Sequence, residues 1–264
     1  MKKLCLLLLL SLPLTTFAQS KVTAPVAIWP ELQLSYGVKD DGLLFFRNQY
    51  RVNTDSRFND LRTTGLLSNF ERVELSLGYE HKLTEHWRGG GLVHYAAEDF
   101  PKMIFYALFL RHNGKLSSLY LNKQLMFEYI DQEKQDIYGR FRLTAELGRR
   151  FPVGSKFLTP EISYEAALLS DFGKEDNNAS QERLIDRTQL KVELNFEVTE
   201  KLRISPYFMR HTEYYYVEVP SVYDEQNQLE QEGYRTKRNR VSPVIGLELR
   251  YSFNRAANTA SITY

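Results

Sequence analysis

Along most of the chain, polar and apolar residues alternate with a period of two. The stretch RTQLKVELNFEVTEKLRISPYF, residues 187–208, sets Leu190, Val192, Leu194, Phe196 and Val198 against Gln189, Lys191, Glu193, Asn195 and Glu197. Successive side chains of a strand point to opposite faces, so this is a ribbon with one oily and one charged side. Eleven runs of this kind can be read. In chain order the others are IWPELQLSYGV, LLFFRNQYRV, FERVELSLGYEH, the glycine-rich WRGGGLVHYAA, PKMIFYALFLRH, SLYLNKQLMFEYI, IYGRFRLTAELGRR, KFLTPEISYEAAL, the long LRISPYFMRHTEYYYVEV and VSPVIGLELRYSF. The core of the fifth, MIFYALFL, is apolar on both faces, which hints at a plug or a neighbouring protomer against it.

The connections are sorted. Tight turns (DDG, KLTE, NGK, PVGS, TEK) follow the odd runs, and long polar segments at 54–69, 170–183 and 220–238 follow even ones. A soluble sandwich has no reason to sort its loops; a transmembrane barrel does, with turns at one rim and loops at the other. The expected fold is therefore all-β, an antiparallel up-and-down transmembrane β-barrel. Eleven runs leave the first strand descending from the long-loop side. A further strand within SKVTAPVA (20–27) would restore an even count, so twelve strands are expected within a range of ten to twelve; otherwise that segment threads the lumen.

Periodicity alone does not say which face is wet, since a soluble barrel turns its apolar face inward. Three features favour the inverted arrangement. Eleven residues rising ~3.3 Å each and tilted ~45° span roughly 25 Å, the height of an outer-membrane apolar band. Aromatic residues gather near run ends (Trp29, Phe46, Tyr50, Tyr79, Trp87, Tyr129, Tyr207, Phe208, Tyr251, Phe253), as two interfacial girdles would require. The polar face is rich in Arg and Glu. On this reading Glu31, Arg47, Arg51, Arg72, Glu74, Glu80, Arg140, Arg142, Glu146, Glu161, Glu165, Arg187, Lys191, Glu193, Glu197, Arg203, Glu248 and Arg250 share one lumen. Interleaved guanidinium and carboxylate groups can pair across strands there and fill a narrow bore, or line a passage for a small polar solute.

The chain opens MKKLCLLLLLSLPLTTFAQS: two lysines, a short apolar core, then small Thr16 and Ala18. That is the pattern of a cleavable export signal over residues 1–18, too short to span a membrane. Residues 19–253 are then the barrel and 254–264 a short polar tail. Cys5 is the only cysteine, so no disulfide or thiol chemistry is expected beyond the signal. Mean hydropathy is −0.42 and no other apolar run approaches ~20 residues, which excludes a helical membrane protein. Net charge is +1, which offers no bulk attraction for nucleic acid.

No catalytic residue, metal or cofactor is assigned. His81, His86, His94, His112 and His211 form no metal-ligand spacing and are expected to hydrogen-bond in the lumen or at an interface. An enzyme acting on envelope lipid is one alternative; it needs a Ser and a His on adjacent strands at one rim, and His211 with Ser163 or Ser205 is the candidate set. A soluble periplasmic barrel with an apolar pocket is the other. The basic GYRTKRNR (233–240), read as a loop, is expected to be solvated or to meet lipopolysaccharide phosphates, and the tyrosines of EYYYVEV (213–219) to extend the sheet above a membrane or to form a carbohydrate-stacking surface.

GLELRYSF resembles the C-terminal recognition signal read by the barrel-assembly machinery: Gly246, then apolar residues at alternate positions, Leu249, Tyr251 and Phe253. Together with Trp29 near the first strand, Arg51 near the end of the second and the paired Arg140 and Arg142 of RFRLTAEL, the chain resembles a domain-of-unknown-function family of barrels in Bacteroidota-type outer membranes. The resemblance implies this fold and an outer-membrane location, and no activity. Lipid and lipopolysaccharide are the expected surroundings, and a monomer is the expected state.

Overall fold

The computed structural model describes residues 20–38, 41–59, 61, 70–98, 102–133, 137–170, 184–224, 226 and 228–254. The expected signal, residues 1–18, lies outside them, as does the tail beyond Asn254. Eleven strands form the wall: β1 (Ala27–Val38), β2 (Gly42–Asn53), β3 (Arg72–Lys82), β4 (Trp87–Ala97), β5 (Met103–Leu116), β6 (Leu119–Gln132), β7 (Tyr138–Gly148), β8 (Lys156–Ser170), β9 (Ile185–Glu197), β10 (Leu202–Val219) and β11 (Tyr234–Ser252). Each pairs antiparallel with the next, and β11 returns to pair with β1, so the sheet closes. Closure removes the exposed edges that an open sheet of alternating strands would present.

Closure settles the strand count at eleven rather than twelve, and the closing pair is parallel, from Val244 beside Ala27 to Ser252 beside Ser35. The segment SKVTAPVA is neither a twelfth strand nor a lumen thread. Ser20–Thr23 lies along β11 beside Arg238–Val241, as an extension of β1. The chain needs four steps from Thr23 to Ala27 where β11 needs three from Val241 to Val244, so a one-residue bulge joins the two ladders. An odd count with the first strand entering from the long-loop end forces this pair to run parallel. Its other end is clasped: Asn254 Oδ1 accepts from the Gly37 amide at 2.8 Å, and Asn254 Nδ2 donates to the Gly37 carbonyl at 2.7 Å.

The tight turns gather at one end. Asp41 turns the chain with φ 63° before Gly42, and Gly154 does so with φ 59° after the short strand Phe151–Val153. The NGK turn falls elsewhere than expected. β5 runs on through Asn113–Lys115, and the chain reverses at Ser117, with φ 56°. At the other end β10 and β11 outrun the wall as one ladder, with Glu213 to Val219 against Arg240 to Tyr234. GYRTKRNR is therefore mostly strand, not loop, and the tyrosine-rich stretch extends the sheet as expected. Arg240 ties this hairpin to the β2–β3 connection. It lies 3.6 Å from Glu71, 3.8 Å from Glu213, and 5.2 Å from the centre of the Phe58 ring. In that connection the hydrogen-bonded Arg57 guanidinium and amide hold the Asp55 carboxyl below its usual range.

The inversion expected from the strand patterns is present. Leu190, Val192, Leu194 and Leu247 are 41, 52, 41 and 44% exposed on the outer surface, whereas Glu193 and Arg250, their neighbours in sequence, are 3 and 8% exposed. Two aromatics of the expected girdles are exceptions. Trp29 and Tyr207 are 5 and 7% exposed and point into the lumen. Both share the parity of the charged positions on their strands. They form a small apolar cluster with Ala27, Met209 and Val244. The doubly apolar fifth run is explained by a second cluster: Ala107 and Phe109 of β5 pack inside the barrel against Leu43, Phe45, Leu92 and Met126. That inner apolar face is covered by the protein's own lumen, so it gives no sign of a neighbouring protomer.

Candidate functional site: the charged lumen

The lumen is built from strand parity. Each strand contributes its inward set, and the register decides which charges meet. On β1 and β2, Glu31 accepts from Arg47 Nη2 at 2.6 Å and from Gln49 Nε2 at 2.8 Å. Near the long-loop end, Glu74 of β3 lies 2.6 Å from both Arg51 of β2 and Arg72 of its own strand, and Arg72 also reaches Glu98 at 2.5 Å. Across the barrel, Glu128 of β6 holds Arg140 at 2.6 Å and Arg142 at 2.8 Å. Lys191 pairs with Glu193 at 2.5 Å, Arg250 with Glu248, and Tyr120 donates to Glu161. Glu197 sits between Arg150, 2.6 Å away, and Arg203, 3.9 Å away, while Glu146 accepts from Asn122 at 3.2 Å. These charged side chains share the inward parity of their strands.

Such a lattice is only conditionally stabilising. Removing two charges from water costs several kcal/mol per ion, and the pair offsets this only with good geometry and further hydrogen bonds. Short, shared contacts such as Arg140–Glu128–Arg142 meet that condition, since each carboxylate oxygen receives its own guanidinium.

Glu128 and Arg111 lie outside the set read from the sequence. Glu128 is a hub, and Arg111 lies 2.7 Å from Glu80, which is fully buried and also meets Arg88. Arg111 shares the inward parity of Phe105, Ala107 and Phe109, so the signal existed but was hidden by the apolar run before it. Arg51 lies over the Trp29 ring at 4.0 Å, a cation–π contact no spacing rule would find.

The inner clusters and the lattice leave a cavity in the middle and long-loop half of the barrel, about 90 Å³ of space open to water. That is room for roughly half a dozen waters. Its charged lining consists of Glu31, Arg47, Arg51, Arg72, Glu74, Glu128, Arg140, Arg142, Glu165, Arg187, Lys191 and Glu248. Trp29, Leu92, Tyr207 and Met209 add apolar patches to this otherwise charged and polar wall.

The serine and histidine candidates do not come together. His211 is hydrogen-bonded to Gln189 at 3.1 Å and Glu213 at 3.1 Å, Ser205 donates to Asn195 at 2.7 Å, and Ser163 stands opposite Lys191. A different pair is in reach: Ser76 Oγ and His94 Nδ1 are 2.7 Å apart on β3 and β4, with Glu74 Oε2 3.6 Å from His94 Nε2. It faces the lumen, not the lipid-facing rim that an enzyme of envelope lipid would use, and Glu74 is already engaged by two arginines. Among the described residues no group of His, Cys, Asp and Glu is arranged to hold a metal ion.

No protein-family model and no curated protein matches the chain. Among solved structures it is similar to NanC porin in its rhombohedral crystal form, at 15% sequence identity, over 80% of this chain and 90% of that one, with a TM-score of 0.41. The closed barrel stands on its own strand ladder, independent of that likeness.

Proposed function

We propose that this chain is an outer-membrane β-barrel protein of a Bacteroidota-type Gram-negative envelope. Its lumen is largely occluded by the Arg/Glu lattice, and it serves as a structural element of the membrane or passes a small polar solute. The observation that carries this reading is the inversion: oily side chains cover the outside of a closed barrel while charges fill the inside. Water would penalise the outer surface and hydrocarbon would welcome it. The strand lengths support the same reading, because eleven to fifteen residues in β3 to β8 match the height of a thin apolar band. Lipid and lipopolysaccharide would be its surroundings, and the Gly246–Phe253 strand its address to the barrel-assembly machinery.

The test is fractionation followed by gel mobility. The protein should partition with outer membranes, need detergent for extraction, and change mobility on boiling. Extraction in plain buffer with no mobility change would overturn the reading. Planar-bilayer recording then separates the two roles: discrete conductance steps indicate passage, and a silent, heat-modifiable barrel indicates a structural one.

A further inference from the structure

We infer that the lumen cavity is a binding site for a small oxyanion, a carboxylate or a phosphate, clamped between Arg142 and Arg187. This rests on the proposed solute-accepting barrel and names its solute class. Seven cationic side chains line the cavity against five carboxylates. Six of those cations have a carboxylate within 2.8 Å, Arg142 among them through Glu128; Arg187 has Glu165 at 3.7 Å.

The register explains why. Arg142 of β7 and Arg187 of β9 both stand opposite Ala167 of β8, so an arginine, an alanine and an arginine lie in one row across three strands. Neighbouring strands are ~4.8 Å apart, which places the two arginine Cα atoms roughly 10 Å from each other with only a methyl group between them. One step along the strands, Glu165 is the carboxylate between the two guanidinium groups, but it engages neither closely, at 3.6 Å from Arg142 and 3.7 Å from Arg187. Those separations exceed good hydrogen-bond length. Arg142 Nε, Arg187 Nε and Glu165 Oε1 are buried and have no hydrogen-bond partner. Arg142 does hold Glu128 with one edge at 2.8 Å, which fixes its direction.

Two guanidinium groups enclosed in a low-dielectric bore repel each other; Glu128 offsets the charge of Arg142, while Arg187 has only the loosely engaged Glu165. A planar, bidentate acceptor is the complement of a guanidinium fork, and carboxylates and phosphates both supply it. The notch over Ala167 provides the space. Thr144 and Gln189, opposite Glu165 on either side, add neutral hydrogen-bonding groups. The cavity volume limits the ligand to a group the size of a few waters, so the whole ligand is small or only its anionic head enters.

The test uses the full barrel in detergent micelles, shown to be heat-modifiable, titrated calorimetrically with sodium phosphate and separately with sodium acetate at constant ionic strength, with sodium chloride as the blank. Saturable binding of either oxyanion is expected, and the one that binds tells phosphoryl from carboxylate ligands. Arg187→Gln should weaken it roughly tenfold or more, the loss of a charge-assisted hydrogen bond. Glu165→Gln should tighten it, because the ligand's competitor is removed; a merely structural role for Glu165 predicts no such gain. Lys201→Gln in a tight turn should change nothing. No saturable heat from a heat-modifiable barrel overturns the inference, as does unaltered affinity in both lumen variants. A wild-type protein that is not heat-modifiable would instead count against the barrel reading itself.

Discussion

Gly246 is bare because Tyr207 occupies its space. The tyrosine ring leans from β10 across the inner face of β11, and a methyl group at Gly246 would come within 2.0 Å of it. Its hydroxyl then donates to the Trp29 carbonyl at 3.1 Å, so one side chain ties β10 to β1 across the final strand. Gly246→Ala should therefore destabilise the barrel by about 1–3 kcal/mol through overpacking, read as a lower urea midpoint for the refolded protein. Truncating Tyr207 in the same chain should recover part of the loss; equal midpoints for Gly246→Ala and wild type would mean the ring has somewhere else to go. Glu128 carries a different kind of debt. Two arginines face it, and Glu128→Gln would leave both without their main counter-charge. The expected cost is about 3–5 kcal/mol, measured the same way, and larger than that of either arginine's replacement by Gln. The charges of this lattice were legible in the sequence, because strand parity alone put them on one face. Their partners were not. Which carboxylate meets which guanidinium depends on the register between strands, and the turns that set it were partly misplaced, as at NGK.

From Leu190 to Phe196 of β9, exposed and inward side chains alternate without a break. Val192 and Glu193 are adjacent and point to opposite solvents, so the strand is a direct probe of what surrounds the barrel. Val192 lies near the middle of β9, where a membrane would be driest. Val192→Arg should cost roughly 2–4 kcal/mol in lipid bilayers and far less in a protein exposed to water. Reversible unfolding from liposomes gives the number, and a cost near zero would argue against lipid on that face. This period-two pattern is readable because the apolar outer face and the charged inner face both run along the whole length of a strand. Residues with two possible allegiances were harder. Trp29 and Tyr207 carry amphipathic rings that belong equally well at a membrane interface, yet their parity is that of Glu31 and Glu193. Parity was the stronger signal, since a strand cannot turn one side chain around without a bulge. In the basic stretch 233–240 the charges mask the alternation, and the β10–β11 ladder extends through it regardless.

The whole barrel turns on one seam. An even-stranded barrel closes antiparallel with both ends of the chain at one rim. Eleven strands instead put residue 20 at the long-loop end and Asn254 at the tight-turn end, with β1 and β11 side by side in the same direction. The sequence hinted at this through the odd number of runs, and the familiar even count made a hidden twelfth strand the natural expectation. Only the closing register decides between them, and it can be trapped chemically. Ile28 and Ile245 are register partners on the outward face. Neighbouring strands bring Cα atoms to ~4.8 Å, within the span a disulfide tolerates. Cysteines at both positions, in a chain whose only native cysteine is Cys5, should join on mild oxidation and give a closed species of altered mobility under non-reducing conditions. A control pair at Leu32 and Ile245, four residues out of register, should stay reduced. Were a twelfth strand inserted between β1 and β11, Ile28 and Ile245 would lie two strand spacings apart, roughly 10 Å, beyond the reach of any disulfide. Cross-linking of the first pair and not the second therefore fixes the parallel seam, whereas failure of the first in a folded, heat-modifiable barrel would restore an even-stranded wall.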